Sequence, residues 1–178
     1  SSTATTTNTT VYGQATPLYP SIVPNLKYNH KVLASPTYIA MYNNRGGWWM
    51  NVRILRYADV VLMYAEAANE LGGATNTTNA LAALNSVRAR ARAGNNAVLP
   101  NVTTTDQVAL RNAIRQERRV ELAMEHERFF DTVRWGIVQD AMIAAGKTGF
   151  NVNRDVLLPI PQQQIDLSKG VLTQNPGY

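Results

Sequence analysis

Three carboxylates at helical spacing are the side chains in this sequence that could do acid–base chemistry. Glu117, Glu121 and Asp131 lie in a stretch of strong helix formers, residues 115–136, with no Pro and no Gly before Gly136. Two carboxylates that flank a substrate can act as a general acid and as a base or nucleophile. The arginines interleaved with these carboxylates favour ion pairs instead, so we expect a structural role.

The same carboxylates fall on the side of the helix that should pack in the core. At about 100° per residue, Glu117, Glu121, Arg128 and Asp131 share a face with an apolar stripe. The stripe consists of Leu110, Ala113, Ile114, Val120 and Met124. Charges on a core face are unfavourable unless they are paired and hydrogen-bonded. We therefore predict a buried ion-pair network. The alternative is a kinked helix that turns these charges out to water.

The predicted network extends to the helices that precede this stretch. Arg56 and Asp59 stand three residues apart, a spacing at which two side chains of one helix can pair. We predict that the carboxylates of residues 115–136 tie their helix to arginines of the preceding hairpin. The complete predicted network is Arg56, Asp59, Arg88, Glu117, Glu121, Arg128 and Asp131.

The residue types that other catalytic and metal sites require are scarce. The chain has no cysteine and only two histidines, which excludes disulfides, thiol catalysis and cysteine-based zinc sites. His126-Glu127 lacks the second histidine of a zinc protease motif, and the sequence has no Glu-x-x-His pair for a di-iron bundle. It also has no phosphate loop and no nucleophile-elbow serine. We expect no catalytic residue, no metal and no cofactor.

A second candidate site, for a ligand, is the aromatic stretch at residues 42–49. Its aromatic faces and hydrogen-bonding side chains are those of Tyr42, Asn43, Asn44, Arg45, Trp48 and Trp49. Sugar rings and bases both stack on such faces, and Gly46-Gly47 indicates a loop. We predict a ligand-binding site here. The alternative is that these rings cover the helical core.

Helices must position the charged residues, and the first two are predicted to form a hairpin. One covers residues 52–71, is apolar around most of its circumference and ends at Gly72-Gly73; the other covers residues 79–91. So apolar a helix should be buried on several sides. The short connection predicts antiparallel packing, and small alanines allow the two helices to approach closely.

The third predicted helix carries the carboxylates. Thr104 and Gln107 match a capping box, and the helix is predicted to run from about Asp106 toward Arg128 or Trp135. The absence of Pro and Gly inside this stretch is what predicts one continuous helix.

The remaining segments are predicted to be irregular. Residues 1–10 are rich in Ser and Thr and read as a linker, so the predicted domain covers residues 11–178. Prolines break residues 11–51 except for a possible short strand at residues 38–42. The Pro-rich tail, residues 158–167, is predicted to be extended or turn-like and to lie along the helices.

Composition indicates a globular domain with no nucleic-acid partner. The chain has 178 residues, 45% hydrophobic and 16% charged, with a net charge of +5 and a pI of about 9.7. Basic proteins often bind nucleic acid or acidic surfaces. Here the arginines alternate with carboxylates at helical spacing, which favours pairing within the protein. No apolar run approaches the roughly 18 residues of a membrane span.

Several stretches, in order and spacing, together resemble one family. They are Arg56–Ala67, Ala83–Ala91, Glu117–Leu122, Arg128–Gly136, Leu158–Pro161 and Gln174–Tyr178. On these motifs the chain resembles the SusD/RagB family of nutrient-binding outer-membrane lipoproteins of Bacteroidota over residues 52–178. It departs at position 126, which is His where many members have Gly.

The resemblance implies a fold, a location and a role. Members are mainly α-helical with tetratricopeptide-like hairpins, and we expect the same here, with long irregular loops and an extended C-terminal tail. They sit on the extracellular face of the outer membrane through a lipidated N-terminal cysteine. They cap a SusC-type TonB-dependent transporter, pass it glycans or peptides, and are not enzymes.

We therefore expect the C-terminal region of a non-catalytic glycan-binding or oligosaccharide-binding receptor. Its expected partners are the SusC-type transporter, a glycan or other nutrient, and the N-terminal half of the same protein, which would carry the lipid anchor. The alternative is a helical-repeat scaffold that binds another protein, although one hairpin is too few for a free-standing array.

Overall fold

The computed structural model describes residues 53–95 and 97–178 and a few earlier positions. The earlier positions are Thr10, Val11, Gln14, Ala15, Thr37, Ala40 and Met41. The chain divides into two compact units, Ser1–Arg53 and Ile54–Tyr178. The boundary between a linker at residues 1–10 and a domain at 11–178 stays a prediction.

In the first unit, two short strands form an antiparallel pair. Strand β1 (Thr10–Val11) pairs with β2 (Gln14–Ala15), with Thr10 opposite Ala15 and Val11 opposite Gln14. Ala40 and Met41 have helical backbone, so the strand predicted for residues 38–42 is wrong there. Both residue types are strong helix formers.

The second unit is helical, which confirms the predicted mainly α fold class. Its helices are α1 (Tyr57–Leu71), α2 (Ala74–Arg92), α3 (Gln107–Glu121), α4 (Glu127–Arg134), α5 (Val138–Ala144), α6 (Val152–Asp155) and α7 (Gln162–Leu167). Within the described ranges, none of these helices has the length and hydropathy of a membrane span.

Helices α1 and α2 pack as a hairpin because their connection is short and their contact residues are small. Gly72 and Gly73 have φ of 70° and 82° and end α1, a backbone conformation that glycine adopts readily. Ala65 and Ala80 are fully buried. The core that α1, α2 and α3 share comprises Leu62, Ala65, Ala68, Ala80, Leu84, Val87, Leu110 and Ile114.

One face of α1 is exposed, although the sequence predicts burial on several sides. Tyr57, Val60, Tyr64 and Leu71 follow one another at helical spacing, and Tyr57 and Leu71 are 82% and 79% exposed. The prediction of burial on several sides is therefore wrong for this unit. The cause is that α2 and α3 cover only the opposite face, where Leu62 and Ala65 lie.

The start of α3 is capped by Asp106 rather than by the predicted Thr104–Gln107 box. The Asp106 carboxylate accepts a hydrogen bond of 2.7 Å from the backbone N–H of Ala109, as N-cap residues do. The Gln107 side chain instead donates to the Asn69 carbonyl oxygen, and Asn69 donates back to the Gln107 carbonyl. This reciprocal contact ties the end of α1 to the start of α3.

The predicted continuous third helix is wrong, because it breaks between α3 and α4. In an unbroken helix the Glu121 carbonyl would accept a hydrogen bond from the Glu125 N–H. Here that carbonyl accepts from the Arg56 side chain, and the Glu125 N–H donates to Leu122 instead. His126 then takes a positive φ of 71° just before α4 begins. A tertiary contact, rather than Pro or Gly, redirects the chain.

The C-terminal tail folds back on itself and includes the short helix α7, which the sequence did not predict. The Gln174 side chain accepts from the Ile160 N–H at 2.7 Å and donates to the Ile160 carbonyl at 2.8 Å. Asn175 donates to the Leu158 carbonyl, and the Tyr178 hydroxyl donates to the Leu157 carbonyl. The two C-terminal sequence motifs are therefore bonded to each other.

Candidate functional site

Arg118 is the centre of a buried charge network that joins three helices. Its guanidinium donates to Asp59 on α1 at 2.8 Å and makes two bonds, of 3.0 and 3.1 Å, to Asp131 on α4. All three side chains are 5% exposed or less. A paired arginine fork satisfies both carboxylates, which makes the burial of these charges tolerable.

Glu66 on α1 receives donors from the end of α4. Arg134 makes two bonds of 2.7 Å to its carboxylate, and the indole N–H of Trp135 donates to it at the same distance. Burial by itself would raise the pKa of Glu66. The hydrogen bonds from Arg134 and Trp135 outweigh that effect and lower the pKa below its ordinary value of 4.5.

Glu121, the last residue of α3, binds arginines from both helices of the hairpin. Arg56, just before α1, donates to it at 2.6 Å, and Arg90 on α2 donates to the same oxygen. Arg56 also donates to Glu125 at 2.6 Å. Burial by itself would lower the pKa of Arg56, but its hydrogen bonds to Glu125 and Glu121 raise it.

Glu117 and Arg88 form a further pair between α3 and α2. The Arg88 guanidinium donates to the Glu117 carboxylate at 2.6 Å, and the two side chains are 15% and 6% exposed. The remaining Arg88 N–H groups donate to the Pro100 carbonyl at 2.7 and 3.0 Å. Arg88 thus fixes the loop before α3 as well as the helix itself.

Six of the seven predicted network residues take part in these pairs, but Arg128 does not. Arg128 is exposed, and no carboxylate of the described residues lies within ion-pair distance of it. Its guanidinium carbon lies 5.9 Å from the ring centre of Trp135. The reason is the break after Glu121, which changes the phase of α4 so that Asp131 faces inward and Arg128 outward.

The predicted pairing of Arg56 with Asp59 is also wrong. Asp59 binds Arg118, whereas Arg56 reaches Glu121 and Glu125. Arg56 precedes the first turn of α1 with extended backbone, φ −142° and ψ 161°. The three-residue spacing predicts a pair only when both residues are helical.

Arg118 is not among the predicted network residues, although its position in the sequence carries a usable signal. Ile114 and Arg118 are four residues apart, and Glu121 follows after three, so all three share the face of α3 that packs in the core. The structure buries Ile114 and Arg118 to 0% and 2% exposure. An arginine on that face requires buried carboxylates opposite it, and Asp59 supplies one of them.

The network leaves its carboxylates no evident role in acid–base catalysis. Glu117, Glu121 and Asp131 each have an arginine donor within 3.0 Å, so their oxygen atoms are engaged in ion pairs within the protein. Among the residues that the structure describes, no group of three His, Cys, Asp or Glu side chains could hold a metal ion.

The predicted ligand-binding residues lie outside the described part of the chain. They are Tyr42, Asn43, Asn44, Arg45, Trp48 and Trp49. Their role in binding stays a prediction.

The chain matches the family model of the SusD family over residues 4–178. It is 36% identical over 129 residues to SusD-like protein P2 of Formosa agariphila, which covers 70% of this chain and 25% of the relative. It is 37% identical over 133 residues to SusD-like protein P25 of the same organism, covering 70% and 24%. The chain thus spans about a quarter of the length of these relatives.

Solved structures of similar proteins agree with the sequence comparison. A SusD homolog from Bacteroides thetaiotaomicron superposes with a TM-score of 0.62 at 33% identity, over 70% of this chain and 26% of that one. A SusD-like protein from Bacteroides fragilis gives 0.55 at 30% identity, over 72% and 26%. This chain belongs to the SusD family, which comprises nutrient-binding surface proteins rather than enzymes.

Proposed function

We propose that the chain is the C-terminal region of a SusD-like receptor that binds a glycan or oligosaccharide and delivers it to a SusC-type TonB-dependent transporter. The observation that carries the proposal is the family match over residues 4–178. The receptor would sit on the extracellular face of the outer membrane through a lipid anchor in its N-terminal part. Co-purification of the detergent-solubilised receptor with the transporter tests this assignment, and recovery of a soluble peptide partner alone would favour the helical-repeat scaffold.

We propose that glycan binding uses the aromatic stretch at residues 42–49. Sugar rings would stack on Trp48, Trp49 and Tyr42, and Asn43, Asn44 and Arg45 would form hydrogen bonds with hydroxyl groups. A hydrogen bond to a charged group contributes only about 1.5–3 kcal/mol net, so a few such contacts give modest affinity. Modest affinity suits a receptor that hands its ligand on.

Substitution of the two tryptophans tests this site. In the full-length receptor, Trp48→Ala with Trp49→Ala should weaken binding to a glycan panel at least tenfold. Phe130→Ala is the matched control, because Phe130 is an exposed aromatic residue on α4 and should leave binding unchanged. Equal affinities for the double variant and the native receptor would refute the assignment.

We propose that the exposed apolar face of α1 packs against the N-terminal half of the receptor. Tyr57, Val60, Tyr64 and Leu71 form an apolar stripe on a helix whose other side is already packed. In helical-repeat proteins each hairpin buries such a face against the next hairpin. The relatives carry about three quarters of their length outside the matched region, which supplies ample chain for this contact.

The same substitutions made in two contexts test this docking. In the full-length receptor, Tyr64→Ser and Leu71→Ser should each lower the free energy of unfolding by roughly 1.5–3 kcal/mol, the value of burying one large apolar side chain. In the 178-residue chain alone the effect should be near zero, because both residues are exposed. Val171→Ser, at a residue 83% exposed, is the control. No difference between the two contexts would contradict the docking.

We propose a structural role for the ion-pair network. Asp59, Glu117 and Asp131 each bind an arginine of another helix, and Glu121 binds Arg56 just before α1. The network therefore holds α3 and α4 against the hairpin. The network residues would then affect stability without touching the ligand, so substitutions at Arg118 and Glu117 should lower the free energy of unfolding.

A further inference from the structure

Three arginines of α3 and α4 make no hydrogen bond or ion pair with any described residue: Arg115, Arg119 and Arg128. Most other arginines of the second unit have a carboxylate within 3.0 Å. They are Arg56, Arg88, Arg90, Arg111, Arg118, Arg134 and Arg154. The three unpaired guanidiniums are an exception in a unit that otherwise pairs its arginines closely.

Two of these arginines, Arg115 and Arg128, lie over the ring of Trp135, which the paired Arg134 also contacts at 4.8 Å. The guanidinium carbons of Arg115 and Arg128 are 4.8 and 5.9 Å from the ring centre of Trp135, within the range of cation–π attraction. The ring itself is fixed, because its N–H donates to Glu66. Arg119 is one helical turn beyond Arg115 on α3. We call Arg115, Arg119, Arg128 and Trp135 the arginine patch.

The patch holds one buried donor that lacks an acceptor. The Nε atom of Arg115 is buried and has no hydrogen-bond partner, and buried donors in folded proteins are nearly always satisfied. The carboxylates nearby are engaged elsewhere. Glu70 feels the charge of Arg115 but binds Arg111 through both oxygens.

Like charges also face each other in the patch. Burial and the proximity of Arg119 together lower the pKa of Arg128, and Asp131 opposes this only in part. Asp131 itself is bound by Arg118 and Arg134. An anion placed against Arg119 and Arg128 would relieve their repulsion and replace lost hydration.

We propose that the arginine patch is an oxyanion-binding site that takes a carboxylate or sulfate group of a small soluble ligand. Guanidinium forks match the planar carboxylate and the sulfate oxygens, and each such contact is a charge-assisted hydrogen bond. The stack on Trp135 holds two guanidiniums in place before the anion arrives, which reduces the entropy lost on binding. The site is separate from the aromatic stretch at residues 42–49 and does not depend on its role.

Calorimetry of the 178-residue chain at constant ionic strength tests the proposal. Sodium sulfate and sodium glucuronate are titrated separately, against sodium chloride and glucose. We expect saturable one-site binding of sulfate, glucuronate or both, and the stronger of the two identifies the preferred group. Arg119→Gln with Arg128→Gln should weaken that binding at least tenfold. Both side chains are exposed and have no hydrogen-bond or ion-pair partner in the described part of the chain, so the double variant should keep the native melting temperature.

The matched control removes the same charge elsewhere. Lys147→Gln with Lys169→Gln changes two exposed lysines and should leave the Kd within twofold. If both double variants weaken anion binding equally, the binding reflects general charge attraction and the proposed site is wrong. The absence of saturable binding heat with both anions would also overturn it. Glucose binding as tightly as glucuronate, or binding of an acidic peptide alone, would also overturn it.

Discussion

The guanidinium of Arg118 donates a hydrogen bond of 2.8 Å to the carboxylate of Asp59, from the last turns of α3 to the first turn of α1. Their side chains are only 2% and 4% exposed. Charges this deeply buried are stable only while both partners remain. The packing of α3 on the hairpin therefore depends on the identity of two side chains that stand 59 positions apart in the sequence.

Replacing Arg118 should have the largest effect on stability of any network substitution. Arg118→Met strands both Asp59 and Asp131, so we expect a loss of at least the roughly 3–5 kcal/mol reported for breaking a buried pair. Urea denaturation measures it. Adding Asp59→Asn and Asp131→Asn should recover part of the loss, because the stranded charges are then gone. A single variant as stable as the native chain would contradict the buried network.

Removing Glu117 should also destabilise the fold. Glu117→Ala leaves the partly buried guanidinium of Arg88, whose side chain is 15% exposed, without its carboxylate, and we expect a loss approaching roughly 3 kcal/mol. The control is Glu70→Ala, which breaks a pair with Arg111 whose carboxylate side chain is 44% exposed. Surface pairs contribute only about 0–1 kcal/mol. Equal losses for the two variants in urea denaturation would rule out a special role for the buried pair.

The stability that Glu66 contributes should disappear in acid. Its pKa in the folded chain is lower than the ordinary value of 4.5, so the ionised carboxylate stabilises the fold fully well above pH 4.5. This contribution falls as the pH drops from 4.5 through the folded pKa. The difference in melting temperature between the native chain and Glu66→Gln should therefore be constant near pH 7 and shrink below pH 4.5. A difference that grows in acid would show the opposite sign of the pKa shift.

Glycine at position 126 should stabilise the chain. His126 has a φ of 71° at the turn before α4, a conformation unfavourable for residues with a Cβ by about 1–2 kcal/mol. His126→Gly should raise the free energy of unfolding by about 1 kcal/mol, since part of the gain is lost to the greater flexibility of the unfolded chain. His126→Ala keeps the strain and should give no gain. Loss of stability with glycine would mean that the imidazole makes a stabilising contact.

Helix content and pairing of α1 with α2 were predictable because they depend on local signals. The apolar spacing of residues 52–71 and the Gly72-Gly73 pair predict a helix and its end, and the structure has α1 at Tyr57–Leu71. The sequence did not indicate that one apolar face of α1 would be exposed. Hydrophobic spacing shows that a face needs cover, but not which chain segment covers it.

The charged network was predictable only in outline. Glu117, Glu121 and Asp131 occupy positions that point inward, and unpaired charges there would be unfavourable. Glu117 and Glu121 bind arginines of the hairpin and of the chain just before it. The partners of Asp131 depend on where α4 lies, and that depends on the break at residues 122–126. The break arises when Arg56 takes the Glu121 carbonyl, a contact between residues far apart in sequence.

The sequence by itself determined the family, the hairpin of α1 and α2, and most of the residues that require a buried charge partner, because motifs, helical spacing and the cost of burying charge are properties of nearby residues. Only the tertiary structure decided that Arg118 is the centre of the network, that Arg128 lies outside it, and that Arg115 and Arg128 lie over the ring of Trp135. Those outcomes depend on how α4 packs after the break at residues 122–126, where Arg56 donates to the Glu121 carbonyl, and contacts between residues so far apart cannot be read from local spacing.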